Sequence, residues 1–265
     1  MVTWIRKVSL ADLFTLGNGM LGFFAITYML DEPPSPIMAS LFILAAMVFD
    51  GLDGLAARLL GSKHSVGQYL DSFSDLISFA LAPAALIYFS YYIPGRYSFV
   101  DILAAVAAFA FLVLGALRLA RFSRAGHLEE NFSGLPTPAA TFLVLMLLAF
   151  CSPLAQSFVP LPSALVLVLA LAISVGMVLD IPYPKIRTAG TGALALAGIA
   201  LALIGFGSLE LGADRTYAFA ALLGSLALIL AYVVVAPVAE LHKRRAAKSA
   251  GGGRPESDGQ PDNDE

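Results

Sequence analysis

Long apolar runs separated by short polar stretches make up most of the chain. Windows of about 20 predominantly apolar residues fall at approximately 13–30, 37–59, 70–92, 100–121, 138–158, 163–180, 190–207 and 217–238. Within them Leu, Ala and Val follow one another without the period-two alternation of polarity that a membrane β-barrel needs. The pattern predicts helices, whose backbone groups are satisfied within each segment. The expected fold class is an all-α polytopic membrane protein with eight transmembrane helices and both termini cytoplasmic.

Composition agrees with this pattern. Of 265 residues, 58% are hydrophobic and 13% charged, about half the roughly 25% charge of a soluble domain. With a mean hydropathy of +0.81, the chain lacks the polar surface of a soluble globular protein. Arg6 and Lys7 precede the first span as in a signal peptide, but no small-residue cleavage site follows cleanly and seven more spans come after. The first span is therefore expected to be retained. The single cysteine, Cys151, excludes an intramolecular disulfide and any multi-cysteine zinc site.

The placement of charge sets the orientation. With both termini inside, the inner segments hold Arg6, Lys7, Arg58, Lys63, Arg118, Arg121, Arg124, Lys185, Arg187, Lys243, Arg244, Arg245, Lys248 and Arg254, which is 14 of the 16 bases. Only Arg96 and Arg215 fall outside, a split that follows the positive-inside rule. Residues 1–240 are read as the membrane-embedded domain. Residues 241–265 are read as a cytoplasmic tail, a basic stretch (LHKRRAAK) that suits anionic headgroups followed by an acidic segment expected to be disordered. Glu256, Asp258, Asp262, Asp264 and Glu265 against Arg254 give that segment −4; the formal total is −3, so the remaining body carries +1. No basic surplus points to nucleic acid as a partner.

Four carboxylates depart from the apolar average: Asp50, Asp53, Asp71 and Asp75, in FDGLDGLAARLLGSKHSVGQYLDSFSDLISF. Ionisable groups in membrane helices are expensive and mark function. At 100° per residue Asp50, Asp53, Gly54, Ala57 and Arg58 share one face of the second helix, while Gly67, Asp71 and Asp75 recur every fourth residue along the third. The short connection makes the two helices antiparallel neighbours, so the acidic stripes can face each other at the cytoplasmic end. Four like charges at close range call for divalent cations. The hard ions Mg2+ or Mn2+ accept carboxylate oxygens and keep positions open for phosphate. Gly54, Ala57 and Gly67 leave room for a ligand, and Arg58 supplies a fork for a phosphate oxygen. Metal, phosphate and a site at membrane level together point to phosphoryl chemistry on a lipid head.

The spacing Asp50-x2-Asp53-Gly54-x2-Ala57-Arg58-x8-Gly67-x3-Asp71-x3-Asp75 resembles, without a departure, the motif of the CDP-alcohol phosphotransferases. That resemblance implies transfer of a phosphatidyl-type group from a CDP-lipid to an alcohol, with release of CMP. It implies a six-helix catalytic core, here followed by two C-terminal helices read as scaffold or dimer surface, and a homodimer in the cell membrane with its site facing the cytoplasm. Asp50, Asp53 and Asp71 would hold metal, two ions in all. Asp75 would also approach metal and act as general base. Gly54 and Arg58 would contact the CDP moiety, beside Ala57 and Gly67, and His64 stands where the family often has Ser or Thr near the pyrophosphate.

Weaker features at 12–23 (DLFTLGNGMLGF), 118–122 (RLARF), 132–140 (FSGLPTPAA) and 181–186 (IPYPKI) look like the serine-transferring members of that family, the phosphatidylserine and archaetidylserine synthases. The opening usually reads Pro-Asn where this chain has Ala11-Asp12. L-serine is then the expected acceptor, with glycerol phosphate or inositol phosphate as alternatives and an ion-coupled transporter as a remote one. Arg118 and Arg121 can present forks to one carboxylate or phosphate, or serve as inner-face anchors. Thr137 can offer a hydroxyl or start a helix, Lys185 can reach phosphate or only mark topology, and Asn18 can bind nucleotide or bond across helices.

Overall fold

The computed structural model describes residues 9–60, 65–125, 131–152, 158–184 and 189–251. In chain order the elements are α1 (Leu10–Leu30), α2 (Pro36–Leu60), α3 (Ser65–Leu76), a π-helical turn (Ile77–Leu81), α4 (Ala82–Tyr91), α5 (Phe99–Ala125), β1 (Asn131–Ser133), α6 (Thr137–Cys151), α7 (Ser163–Gly176), β2 (Pro182–Pro184), α8 (Ala189–Glu210) and α9 (Arg215–Gly251). Each expected apolar span corresponds to helix, the third being α3 and α4 joined through the π turn.

Six of these segments are long and apolar enough to cross a membrane: Leu10–Leu30, Pro36–Leu59, Gly67–Tyr91, Phe99–Arg121, Gly192–Glu210 and Arg215–Val235. The other two are shorter than the sequence suggests. α6 has 15 residues and α7 has 14, or about 22 and 21 Å at 1.5 Å per residue, against a hydrocarbon core of about 30 Å. α6 stops because the chain turns extended at Ser152, and the Phe150 carbonyl accepts instead from the Val159 N–H at 2.8 Å.

α1 shows how the polarity of the fold is arranged. Leu13, Leu16, Met20 and Phe23 are exposed, while Thr15, Asn18, Gly19 and Gly22, spaced as one helical face, are buried. The apolar face meets lipid and the small, polar face meets protein, as expected where helices associate by close packing and interhelical hydrogen bonds. A Cβ on Gly19 would stand 3.0 Å from Ser74 Oγ, and one on Gly22 would stand 2.6 Å from Ser78 Cα. Glycine at these two positions lets α1 lie directly on the third span.

The π turn has a local cause. Pro83 has no N–H to give the carbonyl four residues back, that of Phe79, and its ring crowds that carbonyl. The helix widens there, Ala82 N–H bonding to Ile77 O, and Thr141 Oγ1 on α6 donates to Phe79 O at 2.7 Å. Ser78 Oγ in the same turn donates to the backbone carbonyl of Asn18 at 2.8 Å.

Two further features lie between and after the apolar spans. Asn131, Phe132 and Ser133 pair antiparallel with Pro184, Tyr183 and Pro182, so the 132–140 and 181–186 motifs meet as a two-stranded sheet. Three-residue strands carrying prolines leave no periodic trace in sequence. Gly134 follows at φ +85°, and its N–H reaches Ile181 O at 2.9 Å; a Cβ there would stand 2.9 Å from the Met177 carbonyl carbon. At the other end of the chain, α9 runs through the boundary expected at residue 240, so the basic stretch continues a helix as far as Gly251. The acidic segment beyond it lies outside the described residues.

Candidate active site

The stripes on α2 and α3 converge. Asp50, Asp53 and Asp71 each offer a carboxylate oxygen, and these atoms all lie within 4.8 Å of one another. Asp75, one turn along α3 from Asp71, is an electrostatic neighbour of Asp50, Asp71 and Asp53. Three oxygens this close, from aspartates on two helices with no sulfur or imidazole among them, form a hard donor set. It fits Mg2+ or Mn2+. The second and third helices bring these residues together as their face geometry predicts.

α1 supplies what the acidic motif lacks. Thr15, buried on α1, donates its hydroxyl to Asp53 Oδ2 at 2.9 Å, and Asp53 is itself buried. One turn along, the Asn18 amide donates to Asp75 Oδ1 at 3.1 Å. Asn18 is fully buried, and its Oδ1 has no hydrogen-bond partner among the described residues. The structure thus gives Asn18 a hand in orienting a carboxylate. Thr15 was not singled out from the sequence; its spacing of three from Asn18, on the small-residue face of α1, is the signal that could have found it.

Gly54 and Ala57 are half-buried on the acidic face of α2 and Arg58 is exposed at its end. Among the described residues, a Cβ on Gly54 would meet only Arg58 Nη1, at 3.7 Å. At Gly67 a Cβ would stand 2.9 Å from Asp12 Oδ1, so the start of α1 closes against the start of α3. Asp12 is held there by a capping box: Ser9 N–H donates to Asp12 Oδ2 at 2.8 Å, and Asp12 N–H to Ser9 Oγ at 3.3 Å. His64 and Lys185 lie outside the described residues.

The two arginines of RLARF part company. Arg118 is buried and donates through Nη1 to the fully buried Thr137 Oγ1 at 2.8 Å; it is an electrostatic neighbour of Asp75 and of Tyr232 on α9. Arg121, three residues on, is exposed and pairs with Asp180 at 2.9 Å. They do not converge on one point, because Asp180, just beyond α7, draws Arg121 outward. Thr137 stands in the first turn of α6, whose Pro136 cap makes no side-chain bond, so its hydroxyl serves Arg118.

These carboxylates on paired helices, braced from a third and flanked by a buried guanidinium, form an acidic cluster with the donor set for a divalent cation inside a helical membrane protein. The family model described as CDP-alcohol phosphatidyltransferase matches residues 8–178, and the chain belongs to that family. It is 37% identical over 137 residues to a CDP-diacylglycerol–serine O-phosphatidyltransferase of Helicobacter pylori, covering 51% of this chain and 55% of the relative. It is 38% identical over 149 residues to the enzyme of that name from Methanocaldococcus jannaschii, covering 56% and 63%. Identity to an archaetidylserine synthase of Methanothermobacter thermautotrophicus is 36% over 156 residues, covering 57% and 64%. The similarity thus spans between 55% and 64% of the length of these relatives, and α8 and α9 lie beyond the family match.

Proposed function

We propose that this protein transfers a phosphatidyl-type group from a CDP-lipid to the hydroxyl of L-serine, releasing CMP, in phospholipid biosynthesis. The observation that carries the reading is the cluster of Asp50, Asp53 and Asp71 oxygens within 4.8 Å, with Asp75 beside it. The names of the similar proteins support serine as acceptor. Divalent metal, two ions of Mg2+ or Mn2+, would be held by these aspartates and would supply charge neutralisation for the pyrophosphate and the leaving CMP.

The chain's own residues do the rest. Thr15 holds Asp53 and Asn18 holds Oδ1 of Asp75, the carboxylate that takes the serine proton. The serine oxygen bonds to the lipid-side phosphorus as the bond from that phosphorus to the oxygen of CMP breaks. Arg118, set by Thr137, presents its fork to the serine carboxylate, and Gly54, Ala57, Gly67 and Arg58 receive the CDP moiety. The proposed setting is a homodimer in the cell membrane with this site facing the cytoplasm, supported by the 14 of 16 bases assigned to that side.

The test is CMP release by purified protein with CDP-lipid and Mg2+ or Mn2+, comparing serine with glycerol phosphate and inositol phosphate. Serine-dependent release is expected. Release with another acceptor alone reassigns the substrate, and none with any acceptor overturns the reading.

A further inference from the structure

With Arg121 held by Asp180, Arg118 does not share its surroundings with the second arginine of its motif. It shares them with Tyr232 of α9. Tyr232 lies one turn before the end of the apolar segment Arg215–Val235, where a tyrosine ordinarily sets its hydroxyl among the headgroups. Here the hydroxyl oxygen is buried, although the residue as a whole is only half-buried. The polar tip is turned into the protein, the reverse of an interfacial anchor.

Packing accounts for this orientation. α9 lies against α6 and β2, and Leu230 and Val233, on either side of Tyr232, line one apolar cavity with Leu135, Gly176 and Ile181. Leu135 donates its N–H to Gly176 O at 2.9 Å, two residues before Thr137, which receives Arg118 Nη1. The turn of α9 that carries Tyr232 is thereby seated on the segment that sets the guanidinium. Arg118 is an electrostatic neighbour of Asp75 as well as of Tyr232, so it links the acidic cluster to the phenol.

An amino-acid acceptor calls for this combination. Its hydroxyl must reach Asp75 while its carboxylate, two carbons away, is held close to aspartates that repel it. A carboxylate accepts about four hydrogen bonds. The guanidinium supplies charge, and a phenol adds a donor without a second buried cation, whose desolvation would be costly. We infer that Tyr232 donates its hydroxyl to the carboxylate of the acceptor bound at Arg118, which makes α9, outside the family match, part of the acceptor pocket. This rests on the proposed function for the identity of the acceptor. Selection of an amino acid over a simple amino alcohol is then shared between α5 and α9.

Tyr232→Phe removes the oxygen and keeps the ring. With Mn2+ and CDP-lipid, KM for serine is expected to rise about 10- to 100-fold with kcat within about twofold, as loss of one hydrogen bond to a charged group does. Inhibition by L-alanine, which has the carboxylate without the hydroxyl, should weaken by the same factor. Inhibition by ethanolamine, which has no carboxylate, should not change. A tyrosine that only supports the fold would move both inhibitors together. An unchanged serine KM, or equal weakening of alanine and ethanolamine, overturns the inference. Calorimetric titration of serine into the protein with Mn2+ alone separates the two readings. Serine binding that weakens in Tyr232→Phe, in a protein that releases no CMP, counts against the proposed function and upholds the pocket.

Discussion

The Asn18 amide on α1 donates to Asp75 Oδ1 on α3 at 3.1 Å, tying a helix outside the acidic motif to its last carboxylate. The same turn of α1 is pinned a second time by the third span, where Ser78 donates to the Asn18 carbonyl at 2.8 Å. The proposed base therefore has a fixed rotamer. Asp75→Asn keeps shape and hydrogen bonding but removes the proton acceptor. We expect it to abolish serine-dependent CMP release with little change in thermal midpoint; full activity would overturn the base assignment.

Thr15 acts on Asp53 as an outer-shell partner does on a metal ligand. Thr15→Val removes the 2.9 Å hydrogen bond at nearly constant volume. The expected outcome is a roughly 10- to 100-fold loss of Mn2+ affinity, read by metal titration of the purified protein as well as by activation of CMP release.

Arg118 and Arg121 should separate cleanly. Arg118→Gln is expected to raise KM for serine about 10- to 100-fold, as loss of a charged hydrogen bond does. Arg118→Lys should recover only part of this, because an ammonium cannot reproduce the planar fork. Arg121→Gln breaks only an exposed pair and should leave serine KM within about twofold.

The π turn makes a coupled prediction. Thr141→Val leaves Phe79 O without its 2.7 Å donor and should cost about 1–3 kcal/mol, read as a lower thermal midpoint. Pro83→Ala returns an N–H to the helix, so the double variant should be more stable than the sum of the single changes predicts.

Gly22 tests the helix crossing. Gly22→Ala places a Cβ 2.6 Å from Ser78 Cα, backbone that cannot swing aside. A loss of about 1–3 kcal/mol is expected from this overpacking, together with lower activity because the Asn18 contact shifts.

The spans and the acidic face were legible because both are periodic. Twenty apolar residues need no partner to announce a membrane helix, and Asp50, Asp53, Asp71 and Asp75 fall on facing stripes by helix geometry alone. Asn18 and Thr137 could be named but their partners could not. Thr15 went unnoticed because a threonine in an apolar helix is common, and only its contact with Asp53 sets it apart. The pairing of Asn131–Ser133 with Pro182–Pro184 joins segments about 50 residues apart, and strands that short carry no period.

Local chemistry determined the class of protein: charge scarcity set the solvent, and motif spacing set the acidic cluster, since both act within one or two helices. Tertiary structure decided everything that depends on which distant helices touch. It assigned Asn18 to Asp75 and Thr15 to Asp53, turned Arg118 inward to Thr137 and Arg121 outward to Asp180, and brought Tyr232 of α9 beside Arg118. The physical reason is that a lone helix in lipid fixes its own backbone hydrogen bonds but leaves its polar side chains unassigned until another helix supplies their partners.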